Sequence, residues 1–468
     1  MKVDIRIGFS FLNGAKNMTR SSDTPDAGTL DPSFAEGGVL RLPTPEFTGY
    51  YVQTILPLAG KELLFGMRVV GEFEPIGLAK LNEDGSVDMA FGGAGTGLVE
   101  FYIKGERLYV DQLCGLSDGG WLVIGTYQSL GLGYGGKYLL RYFQDGQLDR
   151  SFGENGLRLL PVKEEQKGVE KKLRVSGWGD GQFSAHGPRA QGRQGAAAVQ
   201  QLDGKIVLVS YKYPESGPAQ RIVLRLNPDG SMDKTFNGAG FAVIELKDIP
   251  YDYLNADAVA VQADGKVVVA GTYSQDSPAS RGAYVTRFDA MGRLDTSFNG
   301  GVVTVPHSEL IYVESMAVRQ NDGAVVVIGE ADVDRVSHGL MFVLTSGGFF
   351  DFHFNRGQPL FSAPLPQGQN WLHCALQADG SILVTGTTGG AFIEKGTTAL
   401  TARFHSDGSL DLAFNRRGFA VFDDAGKYRT VEAMAVMTDG RIVVGGFAWE
   451  DGVDWPYIDS GWIIRYQA

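Results

Sequence analysis

The sequence predicts an all-β protein: a seven-bladed β-propeller of four-stranded antiparallel blades, closed by pairing of the N-terminal strand with the C-terminal blade. Three observations lead there. The 468-residue chain holds 65 glycines and only 18 prolines, without a collagen period, which implies many tight turns and many short strands. One motif (Gly, any residue, an apolar residue, Asp, two residues, Phe) occurs seven times, and self-similarity at a fixed period marks repeat architectures. No segment sustains a 3.6-residue apolar period between helix caps.

The motif copies stand at Gly28/Asp31/Phe34, Gly85/Asp88/Phe91, Gly146/Asp149/Phe152, Gly230/Asp233/Phe236, Gly292/Asp295/Phe298, Gly348/Asp351/Phe354 and Gly408/Asp411/Phe414. Successive aspartates are 57, 61, 84, 62, 56 and 60 residues apart, a period near 60 with one enlarged unit. A second motif interleaves with the first: an Asp-Gly turn feeding a β-branched run that often ends in Gly, clearest at Asp264–Gly271. Asp-Gly between apolar runs signals a hairpin, because Gly accepts positive φ and Asp tolerates it. Each unit therefore reads strand A, Asp-Gly turn, strand B, variable loop, strand C, the Asp–Phe motif, strand D. In the fourth unit A is expected near 256–262, B near 266–272, C near 283–288 and D near 301–305.

The chain ends complete the pattern. A basic residue precedes the motif Asp by eight positions at Lys80, Arg141, Arg225, Arg287 and Arg403, and the last, Arg465, has no Asp after it. The register resumes at the N-terminus, so 28–42 is expected to supply the strand D that the last blade lacks. Closure in this way removes the exposed edges of an open array. The expected organisation is an extension over 1–27, a single propeller over 28–468, and a long insertion at 162–195.

These Asp-Gly-x-Leu-Asp-x-x-Phe units resemble the bacterial delta-60 repeat, a β-propeller repeat family, over about 28–466. The sixth copy departs from the pattern, with Val343 in the basic position and Phe350 for Leu; the first has Ala27 before its Gly. The resemblance implies a fold and carries no catalytic residues with it.

Composition narrows the function classes. The chain has 42 basic and 54 acidic residues, a formal −12, so no chain-wide basic surface for nucleic acid is expected. Two cysteines exclude a disulfide framework. No apolar run reaches the roughly 18 residues of a spanning helix, and Asp4 and Arg6 interrupt the N-terminal one. The expectation is a soluble chain, cytoplasmic or exported by a route that needs no leader. Gly131–Lys137 mimics a phosphate loop but has Tyr138 where Ser or Thr is required and no helix behind it, so no cofactor is expected.

The segment Asn227–Asp233 resembles half of a calcium loop, yet Arg225 stands where the first carboxylate belongs. We therefore expect no metal. The motif aspartates Asp31, Asp88, Asp149, Asp233, Asp295, Asp351 and Asp411 are expected to pair with Lys80, Arg141, Arg225, Arg287, Arg403 and Arg465, and the motif phenylalanines to pack between blades. One pocket does not need seven copies, so function is expected where blades differ. The A–B and C–D turns emerge on one face and the B–C and D–A loops on the other.

On that variable side lie the candidate ligand-binding residues. Trp178 and His186 fall in the long insertion, and Trp449, Trp455 and Tyr457 in the last B–C loop, where exposed aromatics among carboxylates suit sugar stacking or peptide capture. Strands A approach the central channel, and their beginnings carry Asp111, Asp257, Glu314, His373 and Glu432, with Trp371 beside them. Strand parity, uncertain by one residue, decides which of these face inward. The expected function is non-catalytic recognition of a glycan, peptide or protein. Two alternatives stay open: a hydrolase or lyase acting on saccharides or esters at the channel mouth, and a structural part of a secreted toxin or adhesin assembly.

Overall fold

The computed structural model describes residues 26–46, 49, 51–69, 75–92, 95–129, 135–160, 198–212, 214, 219–276, 279–389, 396–423, 427–451 and 457–468. The proposed insertion at 162–195 and most of the extension therefore lie outside the described residues. Among those described, the strands form seven antiparallel sheets. Blades 1 to 6 span 51–101, 106–160, 198–243, 253–307, 311–362 and 373–422, and blade 7 joins 428–466 to 39–42.

Closure is made as the ends of the chain imply. Val39 pairs with Ile464 and Leu42 with Gly461. The strand is shorter than the 28–42 expected: Gly28–Gly38 runs as turns, bound at isolated points such as the Leu30–Tyr466 bridge. In blade 4 strand A is split into Tyr253–Leu254 and Ala258–Val261, followed by Val267–Asp276, Ala279–Phe288 and Val302–His307, so B and C extend well beyond the turn-based expectation.

Both faces of a blade are covered by its neighbours, so strands B read as continuous apolar runs rather than alternating ones. Val267–Ala270 and Val325–Ile328 are buried throughout. One cluster between blades 4 and 5 unites Val268, Ala270, Phe298, Val325 and Val327. The glycine that ends these runs has a steric purpose. A β-carbon on Gly271 would lie 2.1 Å from the Asn255 carbonyl oxygen, and one on Gly329 2.0 Å from that of Tyr312. Strand A crosses close over strand B at this point, and its next residues reach the axis.

The repeated face is tied together blade to blade. Arg225 Nε donates to Asp233 Oδ2 at 2.7 Å, and its Nη1 donates to the Ala290 carbonyl of the next blade at 2.7 Å. Asp233 Oδ1 accepts from the Thr235 amide (3.0 Å) and hydroxyl (2.6 Å), which holds the turn. The guanidinium also lies 4.8 Å over Phe236. That ring sits under Gly292 of the following blade, where a β-carbon would meet it at 2.9 Å. Equivalent ion pairs join Arg287 to Asp295 (2.9 Å), Arg403 to Asp411 (2.6 Å), Arg465 to Asp31 (2.7 Å), Lys80 to Asp88 (3.1 Å) and Arg141 to Asp149 (3.3 Å). In blade 5, where Val343 is buried in the basic position, Arg319 from the end of strand A reaches Asp351 at 3.5 Å instead.

Candidate functional site

Among the described residues, strand A of six blades carries one register position that borders the central cavity. In three blades it is a β-bulge: Gln53 between Val52 and Thr54, Asp111 between Val110 and Gln112, and Glu314 between Val313 and Ser315. A bulged residue is left out of the ladder, and these three bulges stand in the wall of the central channel. Asp257, Leu372 and Glu432 hold the same position, one residue before the pairs Ala258–Ala270, His373–Thr385 and Ala433–Gly445.

These strands enclose a central cavity of about 290 Å³. Its wall includes Gln53, Asp111, Asp257, Glu314, His373 and Glu432, so five candidates from five blades meet in one place. They are not equivalent. The Asp111 side chain turns into blade 2, where its Oδ2 accepts from Lys137 Nζ at 2.7 Å and Thr126 Oγ1 at 2.6 Å. Both partners of that ion pair are almost wholly shielded. Burial pushes the Asp111 carboxyl above its ordinary range, opposed by the Lys137 charge. Asp111 is thus committed to an internal pair rather than free at the channel mouth.

Asp257 is also buried, but its surroundings differ. Asn255 Nδ2 donates to Asp257 Oδ1, Thr272 hydrogen-bonds the carboxyl, and Arg221 of blade 3 is the nearby cation. Burial, reinforced by the Glu314 carboxylate, pushes Asp257 well above the usual carboxylate range. The like charge of Glu314 thus adds to burial in disfavouring the ionised form of Asp257. Thr272 Oγ1 also accepts the Val313 amide at 3.1 Å, which ties the Asp257 side chain to the bulge that presents Glu314.

Other wall residues hold blades together. Gln53 Oε1 accepts the Val110 amide (3.2 Å) and Thr54 Oγ1 the Leu113 amide (3.1 Å). The Gln112 amide brackets Ala198, accepting its N–H and donating to its carbonyl, each at 3.0 Å. Trp371 does not reach the cavity. It is fully buried between blades 5 and 6, 6.1 Å from Phe404, with its indole N–H on Ser362 Oγ at 2.9 Å.

The blade 7 hairpin forms a second cluster. Trp449 is half-buried, 6.1 Å from Phe447, which lies 5.8 Å from Tyr51. Tyr457 is half-exposed, its hydroxyl 3.4 Å from Glu450 Oε2; Tyr428 donates to Asp451, and Lys427 pairs with Asp459. Neither Trp449 nor Tyr457 lines the cavity. Trp178, His186 and Trp455 lie outside the described residues.

The sequence reading missed Gln53, Lys137, Arg221 and Thr272, though a signal existed for most. Asp111, Asp257 and Glu432 each stand seven residues before the Asp of the Asp-Gly turn, a count that settles strand parity. Lys137 and Arg221 each stand four before the motif arginine of their blades, Arg141 and Arg225. Among the described residues no helix is long and apolar enough to cross a membrane, and no group of three or more His, Cys, Asp or Glu is placed to hold a metal ion.

Four segments, 116–152, 201–236, 262–298 and 377–414, match the profile of a β-propeller domain of unknown function, DUF5122. Each segment runs from an Asp-Gly turn to a motif phenylalanine, in blades 2, 3, 4 and 6. No curated protein matches the chain. Solved structures resemble it at low identity. A polysaccharide lyase of family PL25, an ulvan lyase, is 11% identical with a TM-score of 0.48, covering 90% of this chain and 95% of its own. Drosophila Semaphorin 2a is 9% identical with a TM-score of 0.44, covering 95% and 77%. A protein of unknown function from Dyadobacter fermentans is 13% identical with a TM-score of 0.42, covering 78% and 100%. The chain is a seven-bladed β-propeller, similar in four of its blades to the DUF5122 family.

Proposed function

We propose that this protein is a recognition propeller of the delta-60 repeat type, which binds a glycan, peptide or protein segment without transforming it. The central cavity is the seat of the ligand, entered from the variable-loop side. One observation carries this reading: polar side chains from five blades converge on a single cavity, while the motif residues of the other face are taken up by blade-to-blade bonds. A mostly pre-formed concavity with a few placed polar groups is the common form of a binding site. The half-exposed Tyr457 and half-buried Trp449 supply a further aromatic surface beside carboxylates.

Glycan and peptide arrays probed with the wild-type protein, Glu314→Gln and Lys234→Gln test it. The wild type and Lys234→Gln retain a ligand that Glu314→Gln binds at least about tenfold more weakly. Blank arrays for the wild type, or equal binding by both variants, would overturn the reading.

A second reading rests on the Asp257–Glu314 coupling. A carboxyl whose affinity for its proton is raised by burial and by a neighbouring carboxylate is suited to serve as a general acid. Under this reading the wild type cleaves a retained saccharide or ester, and Asp257→Asn binds it without turnover.

A further inference from the structure

Residues 26–42 lie as a strap across three blades. In blade 6, Asn415 N–H donates to the Ala27 carbonyl at 2.7 Å and Arg416 pairs with Asp26. In blade 7, Gly28 N–H donates to the Gln467 carbonyl (3.0 Å) and Asp31 N–H to the Arg465 carbonyl (2.8 Å). In blade 1, Ala35 N–H donates to the Asp84 carbonyl at 2.7 Å, and Phe34 lies under Gly85.

Ion pairing at the strap differs from that of the other blades. Asp31 Oδ2 accepts from Arg465 Nε at 2.7 Å and Arg441 Nη1 at 3.1 Å, and Oδ1 from Gln467 Nε2 at 2.9 Å. Arg441 also reaches Asp439 (2.7 Å) and Glu83 of blade 1 (2.8 Å), to both of which Lys61 adds a weaker contact. At the Arg441 position, blades 3 and 4 have Lys205 and Lys266, 3.5 and 3.9 Å from their motif aspartates. One side chain thus joins the N-terminal segment, blade 7 and blade 1.

We propose that residues 26–42 are an acid-sensitive strap, latched by Arg441, that detaches as a unit before the blades unfold. In blades 1 to 6, strand D is tethered to its own sheet by the C–D turn. Val39–Leu42 has no such tether, and Asp31 and Arg465 are 434 positions apart. The entropy of closing a contact grows with the length of the intervening chain, so this sheet depends most on its non-covalent latch. The charged groups around it are Asp26, Asp31, Glu36, Glu83, Asp84 and Asp439, with Arg41, Lys61, Arg416, Arg441 and Arg465. Burial works against the Asp31 charge, but Ser33, Arg465 and Arg441 outweigh it and hold the carboxyl at about 2. Its folded pKa lies below the ordinary 3.8, so its contribution is complete above that value and is lost as pH falls toward 2.

Pulsed hydrogen exchange after incubation at pH 7, 4 and 2.5 tests the proposal on the full chain. At pH 2.5 the amides of 39–42 and 461–464 label while those of 267–270 in blade 4 stay protected. At pH 7, Arg441→Gln speeds exchange in the strap about tenfold, and Lys266→Gln changes exchange in blade 4 less than about twofold. Simultaneous labelling of strap and blade 4, or equal effects of the two variants, would overturn it.

Discussion

A β-carbon on Gly28 would lie 2.8 Å from the ring of Phe414, a residue near the other end of the chain. The same aromatic-on-glycine contact joins Phe236 to Gly292 and Phe298 to Gly348, so the ring closes with the joint used between its internal blades. Gly292, at φ +80°, allows a test against Gly300, at φ +84° with nothing within 4 Å of the added carbon. Gly300→Ala should cost about 1 kcal/mol from the left-handed backbone alone. Gly292→Ala should cost about 3 kcal/mol, because an overpacked contact adds to that strain. Denaturant titration measures both, and equal losses would show that the ring contact contributes nothing.

Arg225→Met leaves Asp233 buried without its nearest cation, and should destabilise the fold by about 3–5 kcal/mol. The double variant Arg225→Met/Asp233→Leu should recover much of this, since an apolar pair leaves no stranded charge. A single-variant loss below about 1 kcal/mol, as expected for an exposed pair such as Arg293–Asp289, would contradict a structural role.

Asp257 sets the opposite sign of pH dependence from the motif aspartates Asp31, Asp233 and Asp295, whose carboxyls are held below the ordinary range. Its folded pKa is raised, so the unfolded chain releases this proton first and stability falls as pH climbs above the ordinary 3.8. Asp257→Asn should therefore raise the melting temperature at pH 8 and have a smaller effect at pH 4. A variant less stable than wild type at pH 8 would argue that the carboxylate is charged and paired.

Arg319→Gln should destabilise the chain by about 1 kcal/mol, through its partly shielded pair with Asp351. Adding Val343→Arg should restore part of that loss, since it supplies the residue type that blades 4 and 6 use at this position. Thermal melts of the two variants compare them directly; no recovery would mean that the Val343 site has packed beyond accepting an arginine.

Blade number, strand order and ring closure were legible without coordinates. They follow from short-range chemistry: a glycine at positive φ and an Asp that caps its own turn in all seven units, with a basic residue eight positions before that Asp in five of them and Arg465 in the matching place of the closing blade. Each signal lies within one unit, and the period does the counting. The fate of the channel carboxylates was not legible in the same way. Asp111 and Asp257 share a residue type and a register position, yet one is neutralised by Lys137 of its own blade and the other is coupled to Glu314 of the next. That difference rests on contacts across sheets, between residues far apart in sequence. The same holds for Trp371, which reads as a candidate ligand contact and serves as a wedge between blades. Local sequence thus determined the wheel, because each turn and strand is specified by its own neighbours. Tertiary structure alone decided which polar groups reach the cavity, because burial and charge partners are properties of the assembled ring.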